Sequence, residues 1–188
     1  MDPTSGIEIG LSAWIIQDGN YPEFELGKEY RFALEVGVDT LINSSEISKS
    51  MTRASEARYD FTGEILMQDS EFTVFDMGLL CYREGDFSGG FNPGQFVSGN
   101  IYLGVDPFFW FESHAQRLNV PNLFYRWHVK EILLETTEWK VTQDSRGRTC
   151  RSRVDSPTSF TPVQQTRAWD DNGGNAHYIL HCDCLGPA

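Results

Sequence analysis

The stretch Arg58-Tyr59-Asp60-Phe61-Thr62-Gly63-Glu64-Ile65-Leu66-Met67 decides the fold class. Tyr59, Phe61, Ile65 and Met67 fall on one side of an extended chain; Arg58, Asp60, Thr62 and Glu64 fall on the other. A period of two with one apolar side is a half-buried β-strand. The spacing therefore predicts a long strand over residues 57–67.

Downstream the pattern repeats. Gln68-Asp69-Ser70 turns the chain, and residues 71–77 and 79–84 form two shorter runs around Gly78. Residues 85–95 hold Gly85, Gly89, Gly90, Pro93 and Gly94 and predict a loop, without the Lys-Ser/Thr ending of a phosphate-binding loop. Strand alternation resumes over 96–105, with Val97, Ile101 and Leu103 on one face. Asp106-Pro107 is the strongest helix start in the chain: Asp is a favoured cap, and Pro lacks only an N–H that a first turn does not use. Phe108, Phe111, Ala115 and Leu118 follow at helical spacing, and Asn119 and Pro121 end the run, which predicts one principal α-helix at about 107–118. Residues 123–135 return to strand, with Tyr125, Trp127 and Val129 inward and Arg126, His128 and Lys130 outward. The apolar phase then shifts at Ile132 and Leu134, which predicts a β-bulge near Glu131.

Upstream, residues 7–17 alternate as a strand up to the break at Asp18-Gly19-Asn20. In residues 29–38, Tyr30, Phe32, Leu34, Val36 and Val38 oppose Glu29, Arg31, Ala33, Glu35 and Gly37. These two runs predict a long-looped antiparallel hairpin. The polar segments 43–56 and 143–162 read as mobile loops. Residues 163–169 and 176–185 predict a last hairpin around Asp170-Asp171-Asn172-Gly173-Gly174.

The expected class is thus mainly β: an antiparallel sheet or partly open β-barrel with one principal helix, in a single domain over 1–188. In strand rhythm, residues 57–135 resemble a small barrel of the oligonucleotide/oligosaccharide-binding (OB) type, although here the helix falls after the fourth strand. No motif accompanies that rhythm, and it implies a fold without an activity.

Thirteen Phe, seven Tyr and five Trp suit a sheet-based core. The net charge of −12 is uneven. Residues 1–85 carry 16 acids against 6 bases, whereas residues 146–188 carry 4 against 5. Such a chain repels phosphate backbones, so nucleic acid is not the expected partner; a basic protein is. No window approaches the roughly 18 apolar residues of a membrane span, and the start Met1-Asp2-Pro3-Thr4-Ser5 lacks a signal-peptide pattern. A cytoplasmic location without membrane contact follows as the expectation, with Cys81, Cys150, Cys182 and Cys184 as free thiols.

No catalytic motif stands out, and no cofactor is expected. His177, His181 and Asp183 share one strand face while Cys182 and Cys184 share the other, so no tetrahedral zinc site is expected. Arg146, Arg148, Arg151 and Arg153 surround Cys150 and make a candidate anion site, ahead of a reactive thiol; the plainer alternative is a solvated loop pairing with the acidic body. Trp110, His114, Arg126 and His128 are candidate pocket residues between helix and sheet. Glu29, Arg31 and Glu35 are candidate partner-binding residues on a wet strand face. The favoured function is a non-catalytic binding protein with an acidic surface, an inhibitor or immunity-type partner of a basic protein. The alternative is a small-ligand binder or enzyme with an aromatic-lined pocket.

Overall fold

The structure is a computed structural model and describes residues 6–85, 90–137, 139–143, 146–153 and 158–188, with 139, 141 and 150–153 described by backbone alone. Among them the strands are β1 (Ile7–Ser12), β2 (Glu29–Phe32), β3 (Leu34–Asn43), β4 (Ser50–Ser55), β5 (Arg58–Gln68), β6 (Phe72–Asp76) and β7 (Leu80–Glu84). There follow β8 (Phe96–Val105), β9 (Tyr125–Glu135), β10 (Trp139–Gln143), β11 (Thr149–Arg153), β12 (Phe160–Val163) and β13 (His177–Pro187). Among the described residues, helical structure is confined to α1 (Ala13–Gln17), a π-helical turn at Trp110–His114 and a 3-10 turn at Asp171–Gly173. Among the described residues, no helix is long and apolar enough to cross a membrane.

One mixed sheet takes eleven strands in the order β12-β9-β13-β1-β8-β3-β7-β6-β5-β4, with β2 added alongside β9. β5 also pairs with β8, so β8, β3, β7, β6 and β5 curl into a partial ring that is not a closed barrel. Pairing is mainly antiparallel; β1 meets β8 and β3 meets β7 in parallel. β10 and β11 form a separate hairpin. Where β3, β8 and β5 run side by side, the backbones come close at Gly99. A Cβ there would sit 2.0 Å from the Thr40 carbonyl oxygen, so only glycine fits.

The strands over 58–68, 72–76, 80–84, 96–105 and 125–135 lie where the alternation places them. The bulge is also present: His181 pairs with Glu131 and Cys182 with Val129, which leaves Lys130 as the extra residue on β9. Trp127 is fully buried, stacks on Phe32 at 5.5 Å and donates its indole N–H to the Phe32 carbonyl at 3.2 Å.

Several expectations are corrected. The strand expected over 7–17 ends at Ser12, and Ala13–Gln17 turn helical. This buries Ile15 and Ile16 together, and Gln17 donates to the carbonyls of Ala168 and Gly174. β1 does not pair with β2 or β3; it lies between β13 and β8. The run 29–38 divides at Ala33, β2 joining β9 and β3 joining β8. Segment 43–56, read as a loop, supplies β4 on the edge of β5, and segment 143–162 supplies β11 and part of β12. The last hairpin does not form, because β12 and β13 both pair with β9, and residues 164–169 leave the sheet.

The helix expected at 107–118 shrinks to the π-helical turn at Trp110–His114, closed by the Ala115 N–H on the Trp110 carbonyl at 2.8 Å. Its buried phase also differs. Trp110 and His114 face inward, whereas Phe111 is 52% and Leu118 90% exposed. The cause lies at its start, where Phe108 takes φ +101 and breaks the helical path.

The core has two parts. The main one gathers side chains from β1, β3, β5, β8, β9 and β13. The second, made of Ala33, Phe72, Val74, Tyr82, Trp110, Leu123 and Phe124, lies under segment 107–124. Strand alternation feeds both: Phe32, Phe75 and Cys81 join the first, their neighbours Ala33, Val74 and Tyr82 the second.

Candidate functional site

Asp106 follows the last residue of β8 and is fully buried. Its carboxylate accepts the backbone N–H groups of Phe108 (3.1 Å), Trp110 (3.1 Å) and Phe111 (3.3 Å) and the Tyr82 hydroxyl at 2.5 Å. Burial pushes the Asp106 carboxyl above its ordinary range, and these four donors pull it back. The clamp holds the left-handed conformation of Phe108, one that a bulky residue adopts only at a cost of order 1–3 kcal/mol. Backbone outliers of this size concentrate at binding and switch sites, and this one sets the direction of four consecutive aromatic residues, Phe108 to Phe111.

On one side of the turn lies an aromatic groove. Two adjoining hollows of about 370 and 340 Å³ share Arg31, Phe111 and Phe124. Tyr21, Tyr30 and Phe108 wall the first; Trp110 and Val120 wall the second. The Arg31 guanidinium lies 3.9 Å from the Phe124 ring centre, a cation–π contact. Arg31 stands directly opposite Arg126 on β9. Trp14, 47% exposed, meets Phe108 edge-to-face at 6.1 Å and extends the ring surface onto α1.

On the other side lies an open recess of about 640 Å³ lined by Glu35, Glu71, Glu84, Gly85, Ser113 and His114. Glu35 projects from β3 beside β7, where it bridges Tyr82. Burial, reinforced by the charges of Asp106 and Glu84 and opposed by Arg83, raises its carboxyl to about 7. Burial and Asp106 raise Glu84 as well. His114 is 3% exposed and packs on the rings of Phe72 (4.5 Å) and Trp110 (5.8 Å). Burial and the Arg117 charge lower its pKa, so the imidazole is neutral near pH 7. Neither of its ring nitrogens has a hydrogen-bond partner among the described residues; the nearest carboxylate, Glu71, is 3.9 Å away and paired with Arg117. A buried polar atom left so costs about 1–3 kcal/mol, which makes the recess an expensive feature to keep. Residues 86–89, part of the expected glycine-rich loop, lie outside the described residues.

Of the candidate pocket residues, Trp110 and His114 come together in the turn, while Arg126 and His128 line neither hollow of the groove and stand on β9 opposite Arg31 and Glu29 of β2. His128 there stands between Glu29 on β2 and Asp183 on β13. Of the candidate partner-binding residues, Glu29 and Arg31 border the groove, and Glu35 turns instead into the recess. Arg146 and Arg148 are exposed beside the β10–β11 hairpin; Arg151 and Arg153 belong to β11, and their side chains, like that of Cys150, lie outside what is described. Among the described residues no three His, Cys, Asp or Glu side chains are placed to share a metal ion. His181 engages Glu8 (3.2 Å) and Glu131 (3.4 Å), and Asp183 engages Lys130 (3.3 Å). Asp106, expected as a cap, does accept the backbone N–H groups of the turn, whereas Glu71 and Glu84 as recess walls were not anticipated from the sequence. One signal for the recess was available: Glu35 shares its strand face with Ala33 and Gly37, small residues that mark a sheet face covered by another segment.

No protein-family model, curated protein or solved structure matches this chain.

Proposed function

We propose that this is a non-catalytic binding protein that docks a basic partner protein on the end of the molecule built around the Asp106 turn, as an inhibitor or immunity-type protein would. The observation that carries the reading is the pair of surfaces flanking one clamped turn. Exposed rings at Trp14 and Phe111 lie on one side, and the carboxylates of Glu35, Glu71 and Glu84 on the other. Pre-positioned aromatic rings are the usual anchors of protein interfaces, and complementary charge speeds encounter and fixes orientation. The acidic balance of residues 1–85 supports a basic partner. Affinity capture with wild type and Phe111→Ala in parallel tests the proposal. A captured protein of basic pI that is lost with Phe111→Ala supports it; capture of an acidic protein, or capture indifferent to the substitution, rejects it.

The groove favours a second reading. A hollow of about 370 Å³ walled by five rings suits a small aromatic or apolar ligand, since such sites span about 300–1,000 Å³. Saturable quenching of tryptophan fluorescence by a small aromatic probe, abolished in Phe124→Ala, would favour that reading over a protein partner.

A further inference from the structure

We propose that the recess between β3, β7 and the Trp110–His114 turn is a binding site for a guanidinium or alkylammonium group, held by the carboxylates of Glu35 and Glu84 with the His114 imidazole as acceptor. The inference rests on the proposed function only for the source of the cation, a side chain of the basic partner or a free small molecule.

Two independent observations meet here. The walls contribute the carboxylates of Glu35, Glu71 and Glu84 around about 640 Å³, a space suited to an organic cation, and no three of the described ligand-type side chains converge on a metal ion. His114, almost wholly buried, lines the same recess with both ring nitrogens unpartnered among the described residues. A neutral imidazole offers one acceptor nitrogen and carboxylates only accept, so the site asks for a ligand rich in N–H donors and positive in charge. A planar guanidinium meets both demands. Glu71 is already paired with Arg117, so Glu35 and Glu84 carry the charge recognition.

The groups that act on Glu35 are Asp106, Glu84 and Arg83; those that act on His114 are Arg117, Glu71, Asp69 and Asp106. Glu35 exchanges its proton near pH 7, so cation binding should strengthen as pH rises through that value.

Agmatine, which carries both cation types, is titrated calorimetrically into the full chain at about pH 8 and about pH 5.5. An arginine-containing peptide forms a second arm and urea the neutral control. Saturable agmatine binding is expected, weakened about tenfold or more by Glu35→Gln and by Glu84→Gln, weakened at the lower pH, and unchanged by Glu46→Gln on a distant loop. The His114 ring nitrogens should shift in NMR spectra on binding. Circular dichroism checks that each variant folds, and the pH arm tests the same site in the unaltered chain. Binding of the peptide as well places the cation on a partner chain. Agmatine binding without peptide binding keeps the site and removes the protein-partner source. Absence of saturable binding by either probe, or binding indifferent to Glu35→Gln, Glu84→Gln and pH, overturns the inference and leaves the groove to be judged by its own capture test.

Discussion

Asp106 supplies in one side chain the hydrogen bonds that a regular helix start would distribute over several residues. Three backbone N–H groups and the Tyr82 hydroxyl converge on it. An amide at this position keeps one acceptor oxygen and turns an NH2 toward donors, so Asp106→Asn should cost about 2–3 kcal/mol in urea unfolding, the scale of hydrogen bonds to a charged group. It should also release the near-ultraviolet signal of the Phe108–Phe111 aromatics. Trp127 is a second test at this scale. Loss of a fully buried ring that also donates to Phe32 should cost about 3–5 kcal/mol; a Trp127→Ala variant melting within a few degrees of wild type would contradict its core position. Glu35 gives a pH dependence of definite sign. Its folded-state pKa is raised from 4.5 to about 7, so the folded form holds the proton more tightly than the unfolded chain. Stability from this group falls as pH rises from 4.5 to about 7, and the loss is complete above that. Glu35→Gln, always neutral, should therefore melt near wild type at about pH 4 and above it at about pH 8. A variant less stable than wild type at the higher pH would show that the carboxylate is favourably paired.

At the scale of elements, the turn after β8 separates what was legible in the sequence from what was not. Its location was legible, because Asp106-Pro107 and Asn119-Val120-Pro121 bracket it. Its phase was not, because the strained Phe108 rotates the chain so that Trp110 and His114 face inward in place of Phe111 and Leu118. The observed phase predicts that Leu118→Ser changes stability by no more than about 0.5 kcal/mol, whereas Trp110→Ala costs about 3–5 kcal/mol. The reverse ranking in thermal melts would restore the regular helix. The long strands were legible for a simple reason: β5, β8 and β9 each bury one side or one half of a regular alternation. Their partners were not, since period-two patterning states which side is wet and says nothing of which strand lies alongside. β1 finds β13 near the other end of the sequence, and residues 164–169, expected to continue a strand from Val163, leave the sheet. The site divides the same way. Trp110 and His114 were legible as neighbours on one local turn, but Glu35, Glu71 and Glu84 meet only through the non-local pairing of β3 with β7.

At the scale of the whole molecule, the proposed docking end combines recess carboxylates with exposed rings. Most of the net charge of −12 belongs to residues 1–85, which supply all three recess carboxylates, while Trp14 and Phe111 are exposed rings at the turn and the helix that meets it. A basic partner docking as proposed would first meet a long-range field and then a short-range apolar contact. The two should separate kinetically. Raising ionic strength shortens the screening length from about 10 Å at 0.1 M to about 3 Å at 1 M, which slows encounter and leaves the ring contacts made in the bound state largely intact. Association of a basic partner should therefore slow steeply with salt while its dissociation changes little. Phe111→Ala should do the opposite, speeding dissociation with little effect on association. The same field should keep DNA and RNA off this end, with negligible binding to a random-sequence oligonucleotide at about 0.15 M salt. Stopped-flow measurement of both rates against salt, for wild type and Phe111→Ala, checks the division. A salt-independent association rate would move the interface away from the acidic end, and tight oligonucleotide binding would move it to the arginines at 146–153.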